Sequence, residues 1–187
     1  MRLFIALKLS KNQQHDVGVL QHRLKMNLKG VKWVKPENMH LTLKFLGEID
    51  SHYTCYIKSA LEKTLSHQKS FQLDFGETGV FPDPGKARVL WIGVHKGKEE
   101  AICIAEKLEY CLTEAGFSKE TREFQPHLTI GRLRNPVNKA QLNVFLEGEN
   151  KFRTSAEKVD GVVLFQSILD RHGARYEELL KVQLTDS

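Results

Sequence analysis

Residues 2–9 are apolar almost throughout and include the β-favouring Phe4 and Ile5, the pattern of a buried first strand. The period then changes. After Ser10, a good N-cap, Val17, Leu20, Leu24 and Leu28 recur at helical spacing until Gly30, a natural stop. "VKWVKP" ends in a proline that disfavours helix before it. "HLTLKFLG" (40–47) alternates as a strand, and Tyr53, Ile57, Ala60, Leu61 and Leu65 predict a second helix over 52–66. "FQLDFGETGVF" (71–81) reads as a strand ended by "PDPGK" (82–86).

The second half repeats this order at an offset of 87 residues. Strand 3–9 falls on "LWIGVHK" (90–96), helix 11–28 on 98–115, and helix 52–66 near "NKAQLNVFLE" (138–147), while "KVDGVVLFQS" and "ARYEELLKVQL" supply closing strands. Two copies at so long a period favour a pseudo-twofold pair over a stacked solenoid. The expectation is an α+β chain forming a single bilobal domain over 1–187. Two pseudo-symmetric β-α-β-α-β lobes, about 1–84 and about 85–187, would place mostly antiparallel sheets on a central cleft and helices outside.

The same offset carries His40 onto His127, opening "HLTLKFL" and "HLTIGRL". Side chains alternate along a strand, so His40, Thr42 and Lys44 share one face, as do His127 and Thr129, with Leu41, Leu43 and Phe45, and Leu128 and Ile130, turned to the core. One His-x-Thr among eight histidines is a weak signal. Two, at the one offset that also superposes the helices and strands, point to a shared site. Paired imidazoles suit chemistry at phosphorus: one takes a proton from the attacking oxygen, the other gives one to the leaving oxygen, and both titrate near neutrality. Threonine hydroxyls can hold phosphate oxygens while a fixed cation offsets developing charge. Lys44 and Arg132 are the candidate cations. Lys44 shares the histidine face but has Gly131 as its counterpart, and Arg132 points away from that face unless the strand bulges near Gly131.

Composition adds limits. The 187 residues, 41% hydrophobic and 27% charged, suffice for a buried core without staples. A net charge of +5 favours an anionic partner, and the lack of long basic runs suggests a compact cleft meeting few phosphates. Cys55, Cys103 and Cys111 are odd in number and outside any C-x-x-C, so neither a disulfide framework nor a zinc site is expected, and a reducing compartment fits. No carboxylate accompanies either motif histidine on its face, so no divalent metal or other cofactor is expected. "MRLFIALKLS" is too interrupted for a signal peptide, and no apolar run is long enough to span a membrane. Phe81 and Trp91 sit in apolar strand patterns and read as core residues. His15, His22, His52, His67 and His95 read as surface residues, and His172 as part of a turn.

"RLFIAL", "WVKPENMHLTLKFLG", "VFPDPGKARVLWIGV" and "FQPHLTIGRL" together resemble the 2H phosphoesterase superfamily, and most of all its bacterial RNA 2′,3′-cyclic phosphodiesterases, also called 2′-5′ RNA ligases. The likeness runs over nearly the whole chain. It implies a metal-independent enzyme opening a terminal 2′,3′-cyclic phosphate on RNA ends or nucleotides to a 2′-phosphate; the cysteine usage and the lack of a spanning run add the expectation of a cytoplasmic setting with no membrane or obligate protein partner. The likeness implies that His40 is the proton donor, that His127 is the proton acceptor, and that Thr42, Thr129 and Arg132 contact the phosphate. Joining of 2′-5′ ends, action on small cyclic nucleotides and non-catalytic RNA-end binding remain the alternatives.

Overall fold

The structure, a computed structural model, describes residues 1–135, 139–149, 151–171 and 173–186. Asn138, expected to begin the fourth helix, and His172 lie outside them. In β1 (Arg2–Lys8), alternation turns Leu3, Ile5 and Leu7 to the main core, and Phe4 and Ala6 to a small cluster with Val163, Phe165 and Tyr176. α1 (Lys11–Asn27) starts with a capping box: the Ser10 hydroxyl accepts from Gln13 N, and the Gln13 side chain accepts from Ser10 N. It buries Val17, Leu20 and Leu24. β2 (Val31–Trp33), a short turn of 3₁₀ helix at Pro36–Asn38 and β3 (His40–Glu48) follow. A second such turn precedes α2 (Thr54–Leu65), which presents Ile57, Leu61 and Leu65 to the core.

The strand expected over 71–81 breaks at Asp74 into β4 (Phe71–Leu73) and β5 (Phe75–Phe81). The strand changes partner there: β4 pairs with Glu157–Val159 and β5 with Val89–Val94. Asp74 itself donates its N–H to Lys96 O, accepts from His95 N, and takes hydrogen bonds from Lys96 N and His95 Nδ1 on its carboxylate. β6 (Val89–Val94), α3 (Lys98–Glu114), β7 (His127–Leu133) and α4 (Lys139–Gly148) come next. β8 (Glu157–Val159), β9 (Gly161–Asp170) and β10 (Gly173–Gln183) complete the described elements.

The named strands pair antiparallel in two four-stranded sheets, ordered β10-β9-β1-β3 and β2-β7-β6-β5, with β4 and β8 forming a small third. The architecture is α+β. The sheets are not the two halves of the chain, however. β5 crosses to pair with β6, and its counterpart β9 returns to pair with β1, so strands pass both ways over the division expected near residue 84. Apolar periodicity marks a strand but does not name its neighbour. A single core unites the sheets, holding Leu3, Ile5 and Leu7 of β1 together with Leu90, Ile92 and Val94 of β6.

Candidate active site

The two motif strands meet at the junction of the sheets, with Cα atoms of β3 and β7 within 8 Å of one another. Each begins with its histidine. His40 Nδ1 lies 2.9 Å from Asn38 O, and His127 Nδ1 lies 2.6 Å from Gln125 O, the carbonyl two residues upstream in both cases. A carbonyl can only accept, so Nδ1 carries the hydrogen in each neutral ring and Nε2 keeps its lone pair for chemistry.

Aromatic rings underlie both imidazoles. His40 packs 4.5 Å from Phe4 and 5.0 Å from Tyr176, with Phe165 at 6.0 Å, centroid to centroid. His127 stands edge-on to Phe81 at 4.9 Å and lies 6.2 Å from Trp91. Phe81 and Trp91 were expected in the core. They are half-buried beneath His127 instead, because the face opposite Leu90 and Ile92 is the motif face. Trp91 lies so flat on β5 that a Cβ at Gly79 would come within 2.0 Å of its ring.

This burial disfavours the charged imidazolium. His40 is pushed down to about 4, chiefly by burial, with the Asn38 hydrogen bond opposing. His127 is also lowered, first by burial, against the Gln125 hydrogen bond, and further by the charge of Arg132.

Arg132 reaches that face through a bulge. Trp91 pairs with Thr129 and Leu90 with Gly131, which leaves Ile130 as an extra residue in β7. Ile130 and Gly131 are both buried, and alternation resumes with Arg132 exposed on the side of His127. Gln21 of α1 supports the bulge, donating to Ile130 O and Val34 O at 2.8 Å each.

β3 has the equivalent bulge. Ala6 pairs with Thr42 and Ile5 with Lys44, so Leu43 is the extra residue. Lys44, expected beside His40, is therefore carried to the opposite face. It is buried there, with Nζ 2.6 Å from Glu109 Oε2 and 2.8 Å from Ser118 O. Its counterpart is glycine, since a Cβ at Gly131 would come 2.6 Å from Val31 Cγ1 of the neighbouring strand β2. β3 is a sheet edge and has no neighbour on that side.

Thr42 and Thr129 precede the bulges, so each stays on its histidine's face and is half-buried. Sequence reasoning missed Phe4, Phe165 and Tyr176, and it placed Phe45 on the core face, whereas the bulge at Leu43 turns it out opposite Phe4. The offset of 87 pairs Phe4 with Trp91, and Phe45, 65% exposed, with Arg132; that correspondence was the available signal. His15, His22, His52, His67 and His95 are exposed, as expected. Among the described residues, no group of three or more His, Cys, Asp or Glu side chains gathers as a metal cluster. No described helix is long and apolar enough to cross a membrane.

The model of the LigT like Phosphoesterase family matches the chain twice, over residues 7–91 and 92–176. The chain belongs to the LigT-like phosphoesterase family. A relative named RNA 2′,3′-cyclic phosphodiesterase from Methanocaldococcus jannaschii is 34% identical over 95% of this chain and 97% of its own. One of the same name from Bacillus subtilis is 32% identical over 82% and 81%. Among solved structures of similar fold, a Thermus thermophilus protein matches with a TM-score of 0.83 and 25% identity over 98% of both chains. Escherichia coli LigT complexed with 3′-AMP matches with a TM-score of 0.74 over 98% of both chains. At 22% identity, that second likeness shows the LigT-like fold alone.

Proposed function

We propose that this LigT-like phosphoesterase hydrolyses the terminal 2′,3′-cyclic phosphate of RNA to a 2′-phosphate. The observation that carries this reading is the matched pair of imidazoles on twin bulged strands, each with Nδ1 tied to a backbone carbonyl and Nε2 left free. The activity for which the relatives are named supports it. His127 Nε2 takes a proton from water as the water oxygen attacks phosphorus. His40 Nε2 gives a proton to O3′ as the P–O3′ bond breaks. The charge of Arg132 favours a neutral His127 and hence its role as acceptor. The shift at His40 comes from burial and not from a fixed cation, so an incoming phosphate anion restores its proton affinity. Thr42 and Thr129 hold phosphate oxygens, and Arg132 offsets the charge that builds on them.

By this reading the 1–187 chain acts as one bilobal domain made of two copies, about 1–84 and about 85–187, tied by exchanged strands. The unpaired Cys55, Cys103 and Cys111 support a reducing, cytoplasmic setting.

The test is incubation with RNA ending in a 2′,3′-cyclic phosphate in the presence of EDTA, followed by location of the phosphate. A 2′-phosphate is expected, with His127→Ala slowing turnover by about two to four orders of magnitude. A 3′-phosphate product would reverse the leaving oxygen, and activity within about tenfold of the parent in His127→Ala would remove the proposed acceptor.

A further inference from the structure

β2 and β7 pair residue for residue, Val31 with Leu133, Lys32 with Arg132 and Trp33 with Gly131. Val31, Trp33 and Leu133 pack against the core. Directly opposed residues share a face, so the exposed Lys32 stands beside Arg132 on the side of His127. One step beyond Leu133, Arg134 is exposed and its backbone N–H continues the ladder to Gly30 O at 3.2 Å. Arg134 is two residues on from Arg132, just past the end of β7, so at extended spacing it lies about 7 Å further along the chain. Three cations thus form a strip that starts at the candidate site and runs to the sheet edge.

Among the described residues, none of the three forms an ion pair, whereas Lys8, Arg23, Lys44, Lys158, Arg175 and Lys181 all do. Like charges directly opposite each other destabilise a sheet. Lys32 facing Arg132 is a local cost that an anionic occupant would relieve.

We propose that Lys32 and Arg134 hold the phosphates of the nucleotides leading up to the reacting end, so that the preferred substrate is the 3′ end of a polynucleotide chain and not a free cyclic mononucleotide. This rests on the activity proposed above. Arg132 meets the reacting phosphate, and the flanking cations meet the phosphates upstream of it. The spacing along an extended strand suits a single strand laid across β2 and β7, with no base read by these contacts.

The experiment compares the parent with a Lys32→Ala, Arg134→Ala double variant on two substrates, a short RNA ending in a 2′,3′-cyclic phosphate and adenosine 2′,3′-cyclic monophosphate. Each cation neutralising a single-strand phosphate adds about −0.7 to the slope of log kcat/KM against log salt. For the parent, the oligomer slope should exceed the mononucleotide slope by about 1.4. The variant should lose that excess and roughly tenfold of its oligomer kcat/KM at low salt, while mononucleotide turnover stays within about twofold. Unchanged oligomer kinetics in the variant would overturn the inference, as would an equal loss on both substrates, which would put the cations at the reacting phosphate. A parent that opens neither substrate would instead overturn the activity on which the inference rests.

Discussion

Acidification should weaken the fold in a way that His40 accounts for. Above pH 6.5 the imidazole is neutral in both the folded and unfolded chain, and it contributes no pH dependence. As pH falls below 6.5 the unfolded chain takes up a proton, while the folded chain, with His40 lowered to about 4 over its aromatic floor, does not. The folded state therefore loses stability relative to the unfolded one until its own imidazole protonates near pH 4. Moving the histidine from 6.5 to about 4 corresponds to ~3 kcal/mol, lost between about pH 6.5 and 4. Urea unfolding of the parent and a His40→Gln variant across pH 4 to 7.5 isolates this quantity, because other groups titrate alike in both and cancel in the difference. The stability of the parent relative to the variant should fall by ~3 kcal/mol over that interval. A difference that stays flat within about 0.5 kcal/mol would show that His40 keeps its ordinary proton affinity, and that Phe4, Phe165 and Tyr176 do not desolvate it.

The same lowering, with His127 also held below its ordinary value, predicts that kcat/KM on a cyclic-phosphate RNA peaks below pH 6.5 and declines above it, since the donor must be charged and the acceptor neutral in the same molecule. A profile level from pH 6.5 to 8.5 would contradict this. Lys44→Met should cost about 2–4 kcal/mol in a denaturant titration by leaving Glu109 without its cation, yet alter kcat/KM by less than about threefold, because the ammonium lies on the face away from His40. A large kinetic loss with unchanged stability would return Lys44 to the site.

Apolar periodicity was enough to find the helices and most of the strands, and the repeat at 87 residues set His40, Thr42, His127 and Thr129 at matching positions of two strands that the structure brings together. The limits lay where a local rule is broken by something distant. Leu43 followed by Lys44 looks like continued alternation, and only the pairing with Ile5 and Ala6 reveals the extra residue that buries the lysine. Arg132 posed the same problem in reverse, and its position depends on a bulge supported by Gln21 from a helix more than a hundred residues away in the chain. Asp74 divides an apolar run because the chain changes partner there, from β8 to β6, and no local pattern names either strand. The rings under the two histidines come from separate strands, β1, β9 and β10 under one and β5 and β6 under the other, so no window of sequence holds them together.

A repeated unit supplies two identical imidazoles, but the proposed mechanism needs one to give a proton and the other to take it, so the difference must come from positions where the copies diverge. The bulges supply those positions. One residue after each buried pair, the chain returns to the motif face, and there the first copy presents Phe45 while the second presents Arg132. The aromatic adds no fixed charge, so His40 is lowered by burial against the Asn38 hydrogen bond, a balance that an arriving anion can shift. The guanidinium adds a permanent opposing charge at His127, one that keeps its lone pair available. The divergence one residue earlier follows from sheet position: Lys44 has room on an edge strand, whereas Gly131 is flanked by Val31 and Trp33 of β2. The strand that forces that glycine is also the one that brings Lys32 alongside Arg132. The pairing of β2 with β7 thereby sets Lys32 and Arg132 side by side next to His127, the side on which the proposed reading places the phosphate.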